Sequence, residues 1–394
     1  MISFNEALSR VIGVALPLGS ESVSFEAASG RVLSEAVTAR FAMPRTDVSA
    51  MDGYAVREAD LKDIPFSLII AGEAAAGTLP GQRLPERTAF RIFTGAPVPD
   101  GADRVIVQEN AERAGDRVTF LRPHGPGRNI RAAGSDFAAG DLLVPAGIRL
   151  DWRALTTAAA ADQGRISVWR QPCVVILATG DELAAPGQAM ERPGAIPESV
   201  SPGIAAFVTA HGGCLLRSER LPDVPELLGA AAARALQEAD LIIMIGGASV
   251  GDRDYSRSVF GEAPDYVFPK VAIKPGKPVW LARIGTRLVL GLPGNPTSAL
   301  VTARLLLAPL LTGMSGGDAA TAVVFEQGCC ADPLPACGDR ETFLRARMTE
   351  RGLVLADSQD SGSQRSLAAS DALIRRLPGA PAEPAGAPVS YIRF

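Results

Sequence analysis

Asp240-Leu241-Ile242-Ile243-Met244-Ile245-Gly246-Gly247-Ala248-Ser249-Val250-Gly251-Asp252-Arg253-Asp254 reads as a strand that runs into a glycine-rich turn. Residues 241–245 are apolar without alternation. A strand of that kind is covered on both faces, which is the habit of parallel sheets lying between layers of helices. Two more stretches have the same form. Residues 173–178 run into Thr179-Gly180-Asp181-Glu182-Leu183, and residues 288–292 run into Pro293-Gly294-Asn295-Pro296-Thr297-Ser298. Between and after them lie helical patterns at 202–211, 225–239 and 297–311, a strand at 214–221, and the start of a helix at 255–260. This alternation predicts a parallel, doubly wound sheet over 172–312.

Ligands of such sheets sit at the carboxyl ends of the strands. Glycine lets backbone N–H groups approach an anion, and the helix that follows favours negative charge at its start. Gly180, Gly246, Gly247, Ser249, Gly251, Pro293, Gly294, Asn295 and Pro296 are therefore candidate ligand-binding residues. Tight turns use Gly and Asn for purely structural reasons too, so one turn alone says little. Three turns on one edge say more. The same edge carries Glu182, Asp223, Asp252 and Asp254. Carboxylates beside a phosphate site imply Mg²⁺, with Glu182 and Asp254 as ligands. Asp252 fits a helix cap better. Only four of the 39 basic residues are lysine: Lys62, and then Lys270, Lys274 and Lys277 within eight residues. A compact ammonium suits phosphate or oxyanion binding, although a solvated charged turn would look the same.

Working outward, residues 3–14 carry Phe4, Ala7, Leu8, Val11 and Ile12 at helical spacing, and 152–161 predicts a second helix. Residues 1–40 plus 141–171 form a mixed helical domain. Residues 41–140 are an inserted β-rich domain with short strands at 66–71, 88–93, 104–107 and 117–121, after a loop-like stretch 41–56. Residues 313–394 predict a small β domain, barrel or sandwich, with 378–388 as a loop. The fold class is multidomain α/β.

Composition narrows the function. A net charge of −4 gives no footprint for nucleic acid. The most apolar stretches, 240–246 and 299–311, fall short of the ~20 residues of a membrane span. No basic-then-apolar leader precedes the chain, so the expected location is the cytoplasm. The five cysteines form no CxxC pair, and His124 and His211 have no Ser or Cys motif beside them. Carboxylates, lysines and backbone amides must then carry the chemistry.

These residues bring a family into view. Ser49-Ala50-Met51-Asp52-Gly53-Tyr54-Ala55-Val56, Thr94-Gly95-Ala96-Pro97-Val98-Pro99, Asn129-Ile130-Arg131, the three turns above and Lys274-Pro275-Gly276-Lys277-Pro278 occur in one order. As a set they resemble the MoeA and gephyrin E-domain family of molybdopterin molybdenumtransferases, over essentially the whole chain. The resemblance implies four domains, with 172–312 as the molybdopterin-binding domain, in an elongated homodimer. It implies adenylylated molybdopterin and molybdate as substrates, AMP as product and Mg²⁺ as cofactor. Molybdopterin adenylyltransferase and molybdoenzymes would be contact partners, with no membrane or nucleic-acid partner. By the same resemblance Asp52 and Thr94 reach the cleft across the dimer. Glu182, Asp223 and Asp254 surround substrate and metal, and Lys270, Lys274 and Lys277 meet phosphates and molybdate. Ser199, Arg345 and Ser363 line the substrate site. Three positions depart from the family: Glu198-Ser199-Val200 stands for Asp-Ser-Asn, Ser135 for Glu, and Ala248 for Val. Val200 motivates the alternative of a non-catalytic molybdopterin-binding carrier.

Overall fold

The computed structural model describes residues 1–77, 79, 81–246, 258–260 and 264–394. Gly247, Ala248, Ser249, Gly251, Asp252 and Asp254 lie outside the described residues. The chain divides into two compact units. One holds Met1–Glu35, Ala146–Asp151 and Ile166–Phe394; the other holds Ala36–Pro145 and Trp152–Arg165.

The larger unit is built on helix α1 (Phe4–Val14), strand β1 (Cys173–Thr179), helix α2 (Val200–Ala210), β2 (Cys214–Leu221), α3 (Pro225–Glu238), β3 (Leu241–Ile245), β4 (Asp265–Phe268), β5 (Ile273–Lys274), β6 (Trp280–Ile284), β7 (Arg287–Leu292) and α4 (Pro296–Thr302). The sheet order is β2-β1-β3-β7-β6-β4. The first four strands are parallel, as expected from the unbroken apolar runs of β1, β3 and β7, and the alternating β2 joins them at the edge. The last two are antiparallel additions that the alternation did not reveal. Strand β1 shows why the sheet needs helices on both sides. Its Val174, Ile176 and Ala178 enter one core with α1 and α2, while Val175 and Leu177 enter another with Ala231 and Ala235 of α3. Helix α1 buries Phe4, Ala7 and Val11 in the first of these cores. Packing thus joins 1–35 to the α/β core, where the sequence pattern grouped 1–40 with 141–171.

The amino ends of three central strands are tied together. Asp240, 5% exposed, accepts hydrogen bonds from Arg170 at 2.9 and 3.0 Å, Arg287 at 3.0 Å and the Cys173 N–H at 2.9 Å. Burial pushes its carboxyl up, but Arg170, the Cys173 amide and Arg287 together hold it below the usual range.

Helix α4 continues through a π-helical segment, Ala303–Leu307, into α5 (Ala308–Met314). At 19 residues this run is long and apolar enough to cross a membrane, which corrects the shorter apolar stretch expected from the sequence. However, 83% of it is buried inside the protein, as befits the central helix of a core. The chain ends in a second sheet, β8 (Glu326–Cys329), β9 (Glu341–Thr349), β10 (Gly352–Leu355), β11 (Ala372–Arg376) and β12 (Pro388–Arg393), with a short helix α6 (Gln364–Ala368). Its order is β5-β9-β11-β12-β8, with β10 paired to β9. One face, through Phe343, Leu373 and Ile392, packs into the α1–α2 core. That packing brings the 358–364 segment over the first sheet.

The smaller unit centres on a six-stranded sheet of Arg104–Val107, Gly53–Val56, Thr88–Ile92, Phe66–Ala74, Arg117–Phe120 and Ala111–Ala114, in that order. Within the stretch read as loop-like, Val48–Ser49 and Gly53–Val56 are strands. Gly53 is required there, because a Cβ would stand 2.0 Å from the Ile106 carbonyl oxygen.

Candidate active site

The chain reverses direction across the sheet between β1 and β3: β2 lies on one side of β1 and β3 on the other. That switch point leaves a crevice at the carboxyl ends of the strands. A cavity of about 920 Å³ occupies it. Thr179, Gly180, Glu182, Ser199, Asp223, Gly246, Lys270, Lys277, Pro293, Gly294, Asn295 and Pro296 all line it. The structure therefore gathers in one place most of the described residues chosen from sequence in this unit. Gly246 holds φ +89°, and a Cβ there would meet the Thr179 carbonyl oxygen at 2.6 Å. Only glycine lets the first and second turns approach so closely. The third turn adjoins them: a Cβ on Gly294 would lie 3.5 Å from the Gly246 Cα.

One part of the wall is acidic. The Asp223 N–H donates to Asp181 Oδ1 at 3.1 Å. Burial pushes the Asp223 carboxyl up, and the nearby Asp181 and Glu182 carboxylates push the same way. Asp181 was missed by the sequence reading as a contributor, although it sits beside Glu182 in the first turn.

Another part is basic. The Val271 N–H donates to the Lys277 carbonyl at 3.3 Å, closing 270–277 into a loop, and the Ile2 N–H donates to the Lys270 carbonyl at 3.2 Å. Lys270 and Lys277, at the two ends of that loop, line the cavity. Lys274 does not. It lies in β5, paired in register with Thr342, and is exposed. The loop's own closure separates the middle lysine from the outer two.

The third part comes from 358–364. Ser361 accepts the Thr297 N–H through its carbonyl at 3.3 Å and Asn295 Nδ2 through its hydroxyl at 3.1 Å. Gln364 Nε2 donates to Ser199 Oγ at 3.1 Å. Gly362 and Gln364 line the cavity, where the sequence pointed to Arg345 and Ser363. Arg345 is 0% exposed in mid-strand β9 and turned inward. Its Nη2 donates to the carbonyls of Ser358 at 2.7 Å and Asp360 at 3.0 Å, so it holds the segment from behind. Ser363 precedes α6, and its hydroxyl donates to Ser366 Oγ at 3.0 Å. Neither forms the wall.

Val200 lines the cavity at the start of α2, as the sequence comparison of Glu198-Ser199-Val200 anticipated. The role of Glu198 was not foreseen. Its Oε1 accepts the N–H groups of Val200 at 3.0 Å and Ser201 at 2.9 Å, capping the helix in place of Ser199.

Asp52 and Thr94 lie in the smaller unit and meet each other. Asp52 Oδ1 accepts the Thr94 N–H at 2.7 Å and its hydroxyl at 2.8 Å, which holds the carboxyl below its usual range. His211 is structural: it stacks on Phe207 at 3.9 Å and bonds its carbonyl, and burial lowers its pKa. Among the described residues no group of three or more His, Cys, Asp and Glu could hold a metal ion.

Residues 2–162 match the model of the MoeA N-terminal region (domain I and II), 175–313 that of a probable molybdopterin binding domain, and 327–394 that of the MoeA C-terminal region (domain IV). A molybdopterin molybdenumtransferase of Nostoc sp. is 35% identical over 333 residues, spanning 82% of this chain and 76% of its own length. The chain belongs to the MoeA family. A molybdopterin molybdenumtransferase of Haemophilus influenzae is 34% identical over 318 residues, with 80% of this chain and 78% of the relative covered. Among solved structures, a molybdopterin biosynthesis MoeA protein from Pyrococcus horikosii is 28% identical, with a TM-score of 0.83 over 99% of this chain and 98% of that one. The cavity of this MoeA-family chain lies almost wholly within the molybdopterin-binding match. Only Gly362 and Gln364 come from the C-terminal one.

Proposed function

We propose that this chain is a molybdopterin molybdenumtransferase. It takes adenylylated molybdopterin and molybdate, leaves molybdenum on the dithiolene sulfurs and releases AMP. It works in the cytoplasm as a homodimer in which Asp52 and Thr94 complete the cleft. The observation that carries this reading is a single switch-point cavity with Lys270 and Lys277 on its wall together with Glu182 and Asp223.

A phosphoanhydride between two anionic groups must be held and broken here. Lys270 and Lys277 would offset the charge on phosphate and molybdate oxygens. The glycine turns at Gly246 and Gly294 let backbone come close to them. Mg²⁺ fits the acidic part. It binds through one or two carboxylates while keeping waters and phosphate oxygens, so it needs no closed cage. Glu182 and Asp223 would hold it, and the crowding that raises Asp223 is what a cation relieves. When bound, it would supply charge compensation on the phosphate oxygens. Asp181 holds the Asp223 backbone in place by accepting its N–H.

The test is AMP release from adenylylated molybdopterin with Mg²⁺, with and without molybdate. Molybdate should stimulate release. Lys277→Ala and Glu182→Ala should each lower turnover about 10²-fold or more, the usual cost of losing one charge-stabilising group. Tight binding with no AMP release would replace the enzyme by a carrier.

A further inference from the structure

The chain between β1 and α2 forms a bracket beside the acidic part of the cavity. Its two arms are the short strands Leu183–Ala184 and Ile196–Pro197, paired in parallel. Arg192 lies in the loop that joins them and reaches back to the first turn. Its Nη2 donates to the Asp181 carbonyl at 2.7 Å and to the Leu183 carbonyl at 2.9 Å. Those are the two neighbours of Glu182. The Glu182 carbonyl itself accepts the Ile196 N–H at 2.9 Å. Three consecutive carbonyls centred on Glu182 are thus held by one bracket. Glu198 closes its far end, where the Glu198 N–H donates to the Ala184 carbonyl at 2.8 Å. Glu182 lines the cavity, and Arg192 does not.

We infer that Arg192 is a positioning residue, which sets the direction of the Glu182 carboxylate by fixing the backbone on either side of it. The inference rests on the function proposed above, in which Glu182 holds Mg²⁺. Glu182 is exposed, and among the described residues no side-chain hydrogen bond aims its carboxylate. A free glutamate side chain has several rotamers to lose, so a held backbone is what narrows its reach. The carboxylate folds back over Gly180, where a Cβ would stand 2.9 and 3.0 Å from its two oxygens. That arrangement requires the 180–183 turn to keep its shape. Within the turn, the Leu183 N–H donates to the Gly180 carbonyl at 3.2 Å. Arg192 and Ile196 brace it from outside. Arginine suits the task, because one terminal nitrogen carries two hydrogens and can serve two carbonyls at once. Its planar, permanently charged head also loses little freedom in holding such a fork. A residue that only closed its own loop would bond that loop's carbonyls. Arg192 bonds instead to carbonyls eleven and nine residues back, on the wall of the site.

The experiment uses the full chain and compares Arg192→Ala, Arg192→Lys, Glu182→Ala and the double variant Glu182→Ala with Arg192→Ala. Mn²⁺ is the probe for the metal, and its binding is read from the loss of the free-ion EPR signal. Removing a group that orients a metal ligand costs roughly 10–100-fold in affinity. Arg192→Ala should therefore weaken Mn²⁺ binding at least about tenfold, and raise the Mg²⁺ concentration that half-saturates AMP release by a similar factor. Arg192→Lys keeps a cationic donor on a shorter stem and should stay within about threefold of the wild type. In the Glu182→Ala background, loss of Arg192 should change Mn²⁺ binding by less than about twofold, because the ligand it positions is gone. A purely structural role would lower Tm and kcat and move neither metal readout. Mn²⁺ binding by Arg192→Ala within about twofold of the wild type overturns the inference, and so does an equal loss in both backgrounds. A wild-type chain that binds no Mn²⁺ overturns it too. If the coupling between Arg192 and Glu182 is found but the wild type releases no AMP, the proposed function has failed and the positioning of Glu182 stands.

Discussion

Glu198 offers the sharpest quantitative test of the site's construction. Its carboxylate is 8% exposed, and one oxygen receives the first two free amides of α2 at 3.0 and 2.9 Å. Ser199, the cap residue by position, makes no cap bond and instead receives Gln364. Glu198→Ala therefore removes the only side-chain cap on this helix. A lost cap costs about 1 kcal/mol, and the charge at a helix start contributes roughly 0.3–1 kcal/mol more. The sum is about 2 kcal/mol. Glu198→Gln keeps an acceptor in place and loses only the charge, so it should cost less than about 1 kcal/mol. A unit of this size shifts by roughly 2 °C per kcal/mol. Scanning calorimetry should then show a drop of about 4 °C for Ala and less than about 2 °C for Gln. A second readout ties the cap to the cavity. With the carboxylate gone, the two amides can receive an external anion. Pyrophosphate should raise the Tm of Glu198→Ala more than that of the wild type. A Tm within about 1 °C of the wild type for Glu198→Ala, or equal losses for Ala and Gln, would refute this account.

Asp223 should give a pH signature. Its folded-state pKa is raised, chiefly by burial, so the folded chain binds more protons than the unfolded one between the ordinary value and the raised one. Its stabilising contribution is full below the unfolded value and is lost as pH rises through the folded one. Asp223→Asn escapes that loss, so its Tm advantage over the wild type should grow from pH 4 to pH 7; a flat difference would contradict the stated environment. In the smaller unit, Thr94→Val removes one of the two hydrogen bonds that hold Asp52 low. The Asp52 carboxyl should then titrate closer to its ordinary value by NMR, and an unmoved titration would show that the hydroxyl bond is not what lowers it.

What the sequence made legible follows physical rules. Residues 173–178, 240–245 and 288–292 announced buried parallel strands because both faces of such strands must be apolar. The glycine turns announced the ligand edge because strands of that kind end in such turns where helices begin. The two antiparallel strands were hidden by the expectation of alternation, though Gly285-Thr286 joins β6 to β7 with Gly285 at φ +58°, a hairpin signature. Side-chain direction was not legible. Lys274 follows the same logic as Lys270 and Lys277 until the loop closes at Val271 and Lys277. Arg345, placed at the substrate site by the family resemblance, is turned inward by its strand. Glu198 could have been found, since an acidic residue just before a helix is a plausible cap, but its pairing with two amides depends on backbone geometry.

The two ends of the sheet explain why these differences between sequence and structure cluster at one of them. At the amino ends, Asp240 fixes β1, β3 and β7 through two arginines and a backbone amide. The Asp240 carboxylate is satisfied internally there, so its role follows from its partners. At the carboxyl ends the same kinds of residue face a cavity, and each has two possible uses: to bind the ligand or to hold the wall. Glu198, Arg345 and Asn295 are spent wholly or partly on the wall. Glu182, Lys270 and Lys277 line the cavity, and among the described residues no side-chain hydrogen bond ties them to the wall as Ser358 and Asp360 tie Arg345. The division between the two groups is set by which backbone atoms come within reach, a property of the folded chain. A charged residue at a binding edge should therefore be assigned to ligand only after its internal partners have been counted.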